Sequence, residues 1–145
     1  MTTTLEGLKT ILEDKISGLK EDGNDIFGEV FTYANADFKK YPVAVIKNTG
    51  VSGEVLDTHR NQRTLHFEII LYQEQSVAGK TKEEADKIMT RIVDAVMKSF
   101  DEDPDLGGEV EIVKVVEAIF DFKVAAGTFN FATFRIDCQV VVQNY

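Results

Sequence analysis

The stretch "SFDEDPDLGGEV" (residues 99–110) sets Asp101, Asp103 and Asp105 at alternate positions with two glycines close behind. Two folds compete for it. As a calcium loop it would join two helices, whereas as a solvated turn it would end a helix and start a strand. A calcium loop that begins at Asp101 needs a glycine at its sixth position for the sharp turn and a bidentate glutamate at its twelfth. Those positions hold Leu106 and Ile112. Residues 109–122, "EVEIVKVVEAIFDF", are rich in β-branched side chains and have strand character, where a calcium-binding pair needs an exiting helix. The turn reading is therefore preferred, and no metal is assigned. Phe100 closes a periodic run, Pro104 cannot continue a helix, and Gly107 and Gly108 give permissive backbone into the strand. The acidic turn of Asp101, Asp103 and Asp105 stays in solvent.

With that turn fixed, the elements on either side can be placed. Upstream, "TKEEADKIMTRIVDAVMKSF" carries a capping box in Thr81 and Glu84. Its apolar stripe of Ala85, Ile88, Met89, Ile92, Val93, Val96 and Phe100 predicts an amphipathic helix. Downstream, residues 109–124 and 128–142 read as two long strands joined by the turn signal "AAG". Near the start, Leu5, Leu8, Leu12, Ile16 and Leu19 share one helical face, with Thr3 and Glu6 as a capping box and Asp22-Gly23 as a stop. "IFGEVFTYAN" places Phe27, Phe31 and Tyr33 on one face of a strand, and "YPVAVIKN" is a short apolar strand with Pro42 tolerated at its start. "RTLHFEIILYQ" alternates Leu65, Phe67, Ile69 and Leu71 against Thr64, His66 and Glu68. The order α-β-β-β-α-β-β predicts an α+β fold, a mainly antiparallel β-sheet with two amphipathic helices packed on it, in one domain spanning residues 1–145.

Between two of these strands, residues 49–62 ("TGVSGEVLDTHRNQ") hold two glycines and few large apolar side chains. They read as a long exposed connection or a flexible hairpin arm. Val51, Ser52, Gly53, Glu54, Val55, Leu56 and Asp57 are its candidate contact residues.

Composition narrows the function further. At 145 residues the chain can bury roughly two-thirds of its unfolded surface without disulfides or metals. Its single cysteine, Cys138, lies in the strand-like run "FRIDCQVVVQ" and reads as a small buried apolar residue. No run is long and apolar enough to span a membrane, and "MTTTLEGLKT" lacks signal-peptide character, so the expected protein is soluble and cytoplasmic. Net charge is −9, with 25 acidic and 16 basic side chains, which argues against tight nucleic-acid binding through phosphate neutralisation. There is no phosphate-binding glycine loop, no nucleophile elbow, no paired helical histidines and no C-x-x-C. His66 reads as an inert residue on a polar strand face, and no catalytic residue or cofactor is assigned.

The succession of "YPVAVI", "RTLHFEIILY", a helix of the type "EEADKIMTRIVDAVMKSF", then "DPDLGGEVEI" and a final strand pair resembles the tail terminator proteins of long-tailed bacteriophages. The resemblance runs over nearly the whole chain, and Leu106-Gly107-Gly108 is its most characteristic piece. It implies a homo-oligomeric ring, generally a hexamer, that caps the tail tube, stops its polymerisation and presents a docking surface for the head. The implied partners are the tail tube protein and a head-completion or neck protein. The implied place is the head-tail junction of the virion, after assembly in the host cytoplasm. A ring lumen through which DNA passes without sticking fits the acidic balance. Other readings are another neck component, such as a head-closure or tail-completion protein, and a small ligand-binding or calcium-binding α+β domain.

Overall fold

Leu8, Leu12 and Ile16 recur along one face of the first helix, α1 (Leu5–Ser17), and all three are fully buried. In the computed structural model, which describes residues 4–33, 38–74, 82–124 and 128–143, the α1 cap is Thr4. Its hydroxyl oxygen accepts a hydrogen bond from the Gly7 N–H at 3.0 Å, one residue later than the expected cap at Thr3, which lies outside the described residues. Asp22-Gly23 does not end this helix, because Gly18 already does. Instead the pair forms the turn of a small hairpin, β1 (Lys20–Glu21) with β2 (Asn24–Asp25). Asp22 and Gly23 have φ of 52° and 81°, the left-handed backbone that a two-residue hairpin turn requires.

The main sheet contains β3 (Glu29–Phe31), β4 (Val43–Val55), β5 (Arg60–Glu74), β6 (Ile112–Val124) and β7 (Thr128–Gln143) in the order β3-β4-β5-β7-β6. Every neighbouring pair is antiparallel except β3 with β4. The fold is thus α+β, as the periodicities predict. The expected first strand shrinks to three residues, however. Phe27 is buried ahead of it and Tyr33 lies beyond it, 62 % exposed. Its even spacing is real but does not mark one continuous strand. Gly28 is required just before β3, since a Cβ there would collide with the Lys40 carbonyl.

One face of the sheet packs on α1 and on α2 (Lys82–Asp101). Leu65, Phe67, Ile69 and Leu71 of β5 and Ala132, Phe134, Ile136 and Cys138 of β7 alternate inward. They share one core with Met89, Ile92, Val93, Val96 and Phe100 of α2. Each large aliphatic or aromatic side chain so buried contributes about 1.5–3 kcal/mol of transfer free energy. The expected capping residue Thr81 and the expected "AAG" turn lie outside the described residues; β6 ends at Val124 and β7 begins at Thr128.

Among the described residues no helix lies on the opposite face. At one end it is covered by aromatic rings, with Phe38 against Phe31, Tyr41 and Tyr72, and Tyr72 against Phe131. Beyond them the face turns polar. A single row across four strands reads Lys47, Glu68, Arg135, Glu117, with alternating charge. Lys47 lies 3.9 Å from Glu68, and Arg135 lies 3.0 Å from Glu117. The hydrogen bond and charge of Glu117, with the charges of Asp137 and Glu68, raise the Arg135 pKa.

Candidate functional site

Residues 49–62 form an exposed hairpin, the second of the two expected forms, and not a loose connection. β4 runs on to Val55 and β5 begins at Arg60, so all but the tip is strand. The register is continuous from Gly50↔His66 through Ser52↔Thr64 to Val55↔Asn61, with one irregularity between Asn48 and Gly50. β7 extends alongside as far as Arg60↔Gln143, which makes the hairpin a three-stranded ribbon. Leu56 and Asp57 lie in its turn. There the Asp57 carboxylate accepts from the N–H groups of His59 and Arg60, both at 2.8 Å, and from the Arg60 guanidinium at 2.7 Å. The His59 N–H first, and then Arg60, hold that carboxyl below its ordinary pKa. The scarcity of apolar residues has a physical cause: β4 is here an edge with little to pack against. From Lys47 onward its residues are only partly buried or exposed, and Val55 is 74 % exposed.

The polar face of this ribbon gathers three side chains from three strands. His66 of β5 stands between Ser52 of β4, with Oγ to Nε2 at 3.0 Å, and Asp137 of β7, with Oδ1 to Nδ1 at 2.6 Å. A carboxylate can only accept, so the Nδ1 proton belongs to this bond. In the neutral imidazole that leaves Nε2 to accept from the Ser52 hydroxyl. The order of groups is that of an activated nucleophile, with hydroxyl, base and orienting carboxylate. Strand alternation places His66 on the polar face, but its two partners lie 14 and 71 residues away in the chain. Only the strand register, which no local pattern specifies, brings them together.

The acidic turn lies at the same end of the sheet, beside the opposite edge. Asp101 is the last residue of α2, and the Asp105 carbonyl accepts from the N–H groups of Gly108 and Val110. Asp103 is a structural tie. One of its oxygens meets Lys15 of α1 at 3.1 Å and the other accepts from the Gly107 N–H at 2.9 Å. Those two contacts, Lys15 first, hold its carboxyl below the usual range. Leu106, Gly107 and Gly108 all have positive φ, which turns the Leu106 side chain into the core. The Val113 N–H then donates to the Pro104 carbonyl at 2.7 Å. The residue that breaks the calcium pattern is therefore a core anchor.

A cleft of about 410 Å³ beside this turn is lined by Lys15, Lys20, Glu21, Lys98, Glu102 and Asp103 among others. Its charges are already engaged. Lys15 meets Asp103, Lys20 meets Asp25, Lys98 meets Glu102, and Glu21 meets Arg91.

Cys138 faces the core with no exposed surface, and burial first, then the Asp137 charge, pushes its thiol up to about 12. Since the thiolate is the reactive form, native protein at neutral pH is expected to resist iodoacetamide under conditions that label the urea-unfolded chain completely. Rapid labelling of the folded protein would refute this packing.

No protein-family model matches the sequence, and comparison with characterised proteins gives no match.

Proposed function

We propose that this chain is a phage tail terminator, a structural protein that assembles as a ring on the end of the tail tube, stops its growth and receives the head. The observation that carries the reading is a sheet that, among the described residues, has one helix-covered face and two open edges, with a long ribbon at one end. Open edges are templates for another chain, and a protein that keeps them has a use for them or risks aggregation. The element order and the Leu106-Gly107-Gly108 turn add the family resemblance. The experiment is electron microscopy of lysates from cells infected by a phage that lacks the gene. Over-long unattached tails support the terminator reading. Tails of normal length, or heads that have lost their DNA, indicate a head-closure or tail-completion protein instead.

In this reading Ser52, His66 and Asp137 form a cross-strand clamp that holds the ribbon flat. The neutral bond between Ser52 and His66 adds on the order of 1 kcal/mol, and the bond to the Asp137 carboxylate about 1.5–3 kcal/mol. A fluorophosphonate probe is therefore expected to leave Ser52 unmodified, while His66→Ala lowers the melting temperature. Labelling of Ser52 that disappears in His66→Ala would replace the clamp with a hydrolytic site.

A further inference from the structure

We infer that the two open edges of the sheet are the two halves of one contact, in which β6 of one copy pairs antiparallel with the projecting part of β4 of the next. This inference rests on the ring reading and adds the surface and the register by which copies join.

β3 covers β4 only from Val43 to Val45, which leaves residues 46–55 as an edge. On the other side, Pro104 takes the N–H of Val113, and among the described residues no further backbone bond covers the outer edge of β6 at residues 114–124. The two edges have matching lengths. Both also expose apolar side chains that the core does not use: Val51 and Val55 on β4, and Val116, Ile119 and Phe120 on β6.

Strand direction fits as well. β4, β5, β7 and β6 alternate in direction across the sheet, so β6 runs opposite to β4. A copy related by rotation about a ring axis presents β4 in its original direction. The junction is then antiparallel, like the other three pairings of these strands, and repetition closes a ring.

Sterics and charge set the register. Without an offset, the next copy's β4 would meet Asp121 at Val43, because Asp121, Phe131, Tyr72 and Val43 share a row. That place beside Val43 is already taken by Glu29 of β3. Sliding by four residues sets Lys47 level with position 121 and clears β3 as far as position 122, level with Ile46, while positions 123 and 124, level with Val45 and Ala44, have to turn away from β3. The same slide moves Lys114 from the row of Gly50 to that of Glu54. Residues 47–54 then face residues 121–114, and each segment has one irregularity, near Thr49 and near Val116, so the ends stay in step.

An even offset keeps every side chain on its own face. Glu54 and Lys114 are both exposed, on the same face, and have no ion-pair partner among the described residues. Across the junction they become opposite charges on facing strands. Four residues of offset over four strands is one residue per strand. That ratio of shear to strand number is the one found in the closed eight-stranded barrel of shear 8, where strands tilt by about 36°.

The test is sedimentation and native mass measurement of the wild type, Glu54→Lys, Lys114→Glu and an equimolar mixture of the two variants. Each variant alone brings like charges together at every junction, and is expected to need roughly tenfold more protein to assemble. The mixture restores opposite charges at both kinds of junction and is expected to assemble like the wild type. As a second measurement, a chain with both Glu54→Cys and Lys114→Cys should give, on oxidation, a ladder of covalent oligomers that ends at the ring.

A wild-type ring that neither charge change weakens, or that gives no ladder, overturns the edge contact and leaves the ring reading standing. A wild type that stops at two chains, or stays monomeric up to millimolar concentration, overturns the contact too. The terminator reading is judged separately by tail length in infected cells.

Discussion

Host cells infected with a phage that lacks this gene are expected to accumulate full heads beside unattached tails, some of them well beyond normal length. A terminator binds a finished tube end more tightly than another tube subunit does and offers no equivalent new end, so its specificity is a difference between two affinities. Remove it and the competing reaction, addition of one more tube subunit, has nothing to oppose it. The expected effect is close to all-or-none, because one missing ring leaves one tail without a docking surface. Purified protein added to the lysate should restore joining in amounts far below those of tube protein. A head-closure protein predicts the reverse pattern, with tails of normal length and heads that leak. Absence of tails altogether would point to a tube or assembly role.

The fold could be read from the sequence wherever periodicity and burial coincide. In β5 the alternation of Leu65, Phe67, Ile69 and Leu71 names the core face correctly, because that strand is central and packs on helices along one side. In α2 the stripe from Ala85 to Phe100 does the same. The pattern is less decisive where a strand lies at an edge. Among the described residues no helix buries β4 beyond Lys47, so it loses its apolar alternation and its sequence fits a loose connection as well as a hairpin arm, whereas its ladder with β5 runs to Val55. β3 shows an error, since Phe27, Phe31 and Tyr33 are spaced like a strand whereas pairing spans only Glu29–Phe31. The acidic turn was legible as a turn because Leu106 sits where calcium needs glycine, but the tie from Asp103 to Lys15 crosses 88 residues of chain and leaves no local mark. The cluster of Ser52, His66 and Asp137 escaped for the same reason.

Shortening the ribbon is expected to abolish head-tail joining while leaving the domain folded. Ser52 and Thr64 are direct partners across β4 and β5 and, by alternation from the Leu56 N–H bond to the Arg60 carbonyl, a hydrogen-bonded pair, so replacing residues 53–63 with Asn-Gly would join them through a two-residue hairpin turn of the favoured kind. The core should tolerate this. Phe67, Ile69 and Leu71 lie below the cut with their partners Ile136, Phe134 and Ala132, while Val55 and Leu56, removed with the tip, are exposed in the native chain. Cys138 keeps its partner Leu65. The loss falls instead on the free edge from Gly53 to Val55 and on the Asp57 turn, the parts of the ribbon available to another subunit or to the tube. Circular dichroism and thermal melting should therefore show a cooperative domain with a modestly lower midpoint. Joining in the complementation extract should fall by about a hundredfold or more, the scale expected when an interface loses its central contacts. Global unfolding of the shortened chain would show that the ribbon belongs to the core. A folded, shortened chain that still joins heads to tails would show that the ribbon takes no part in assembly.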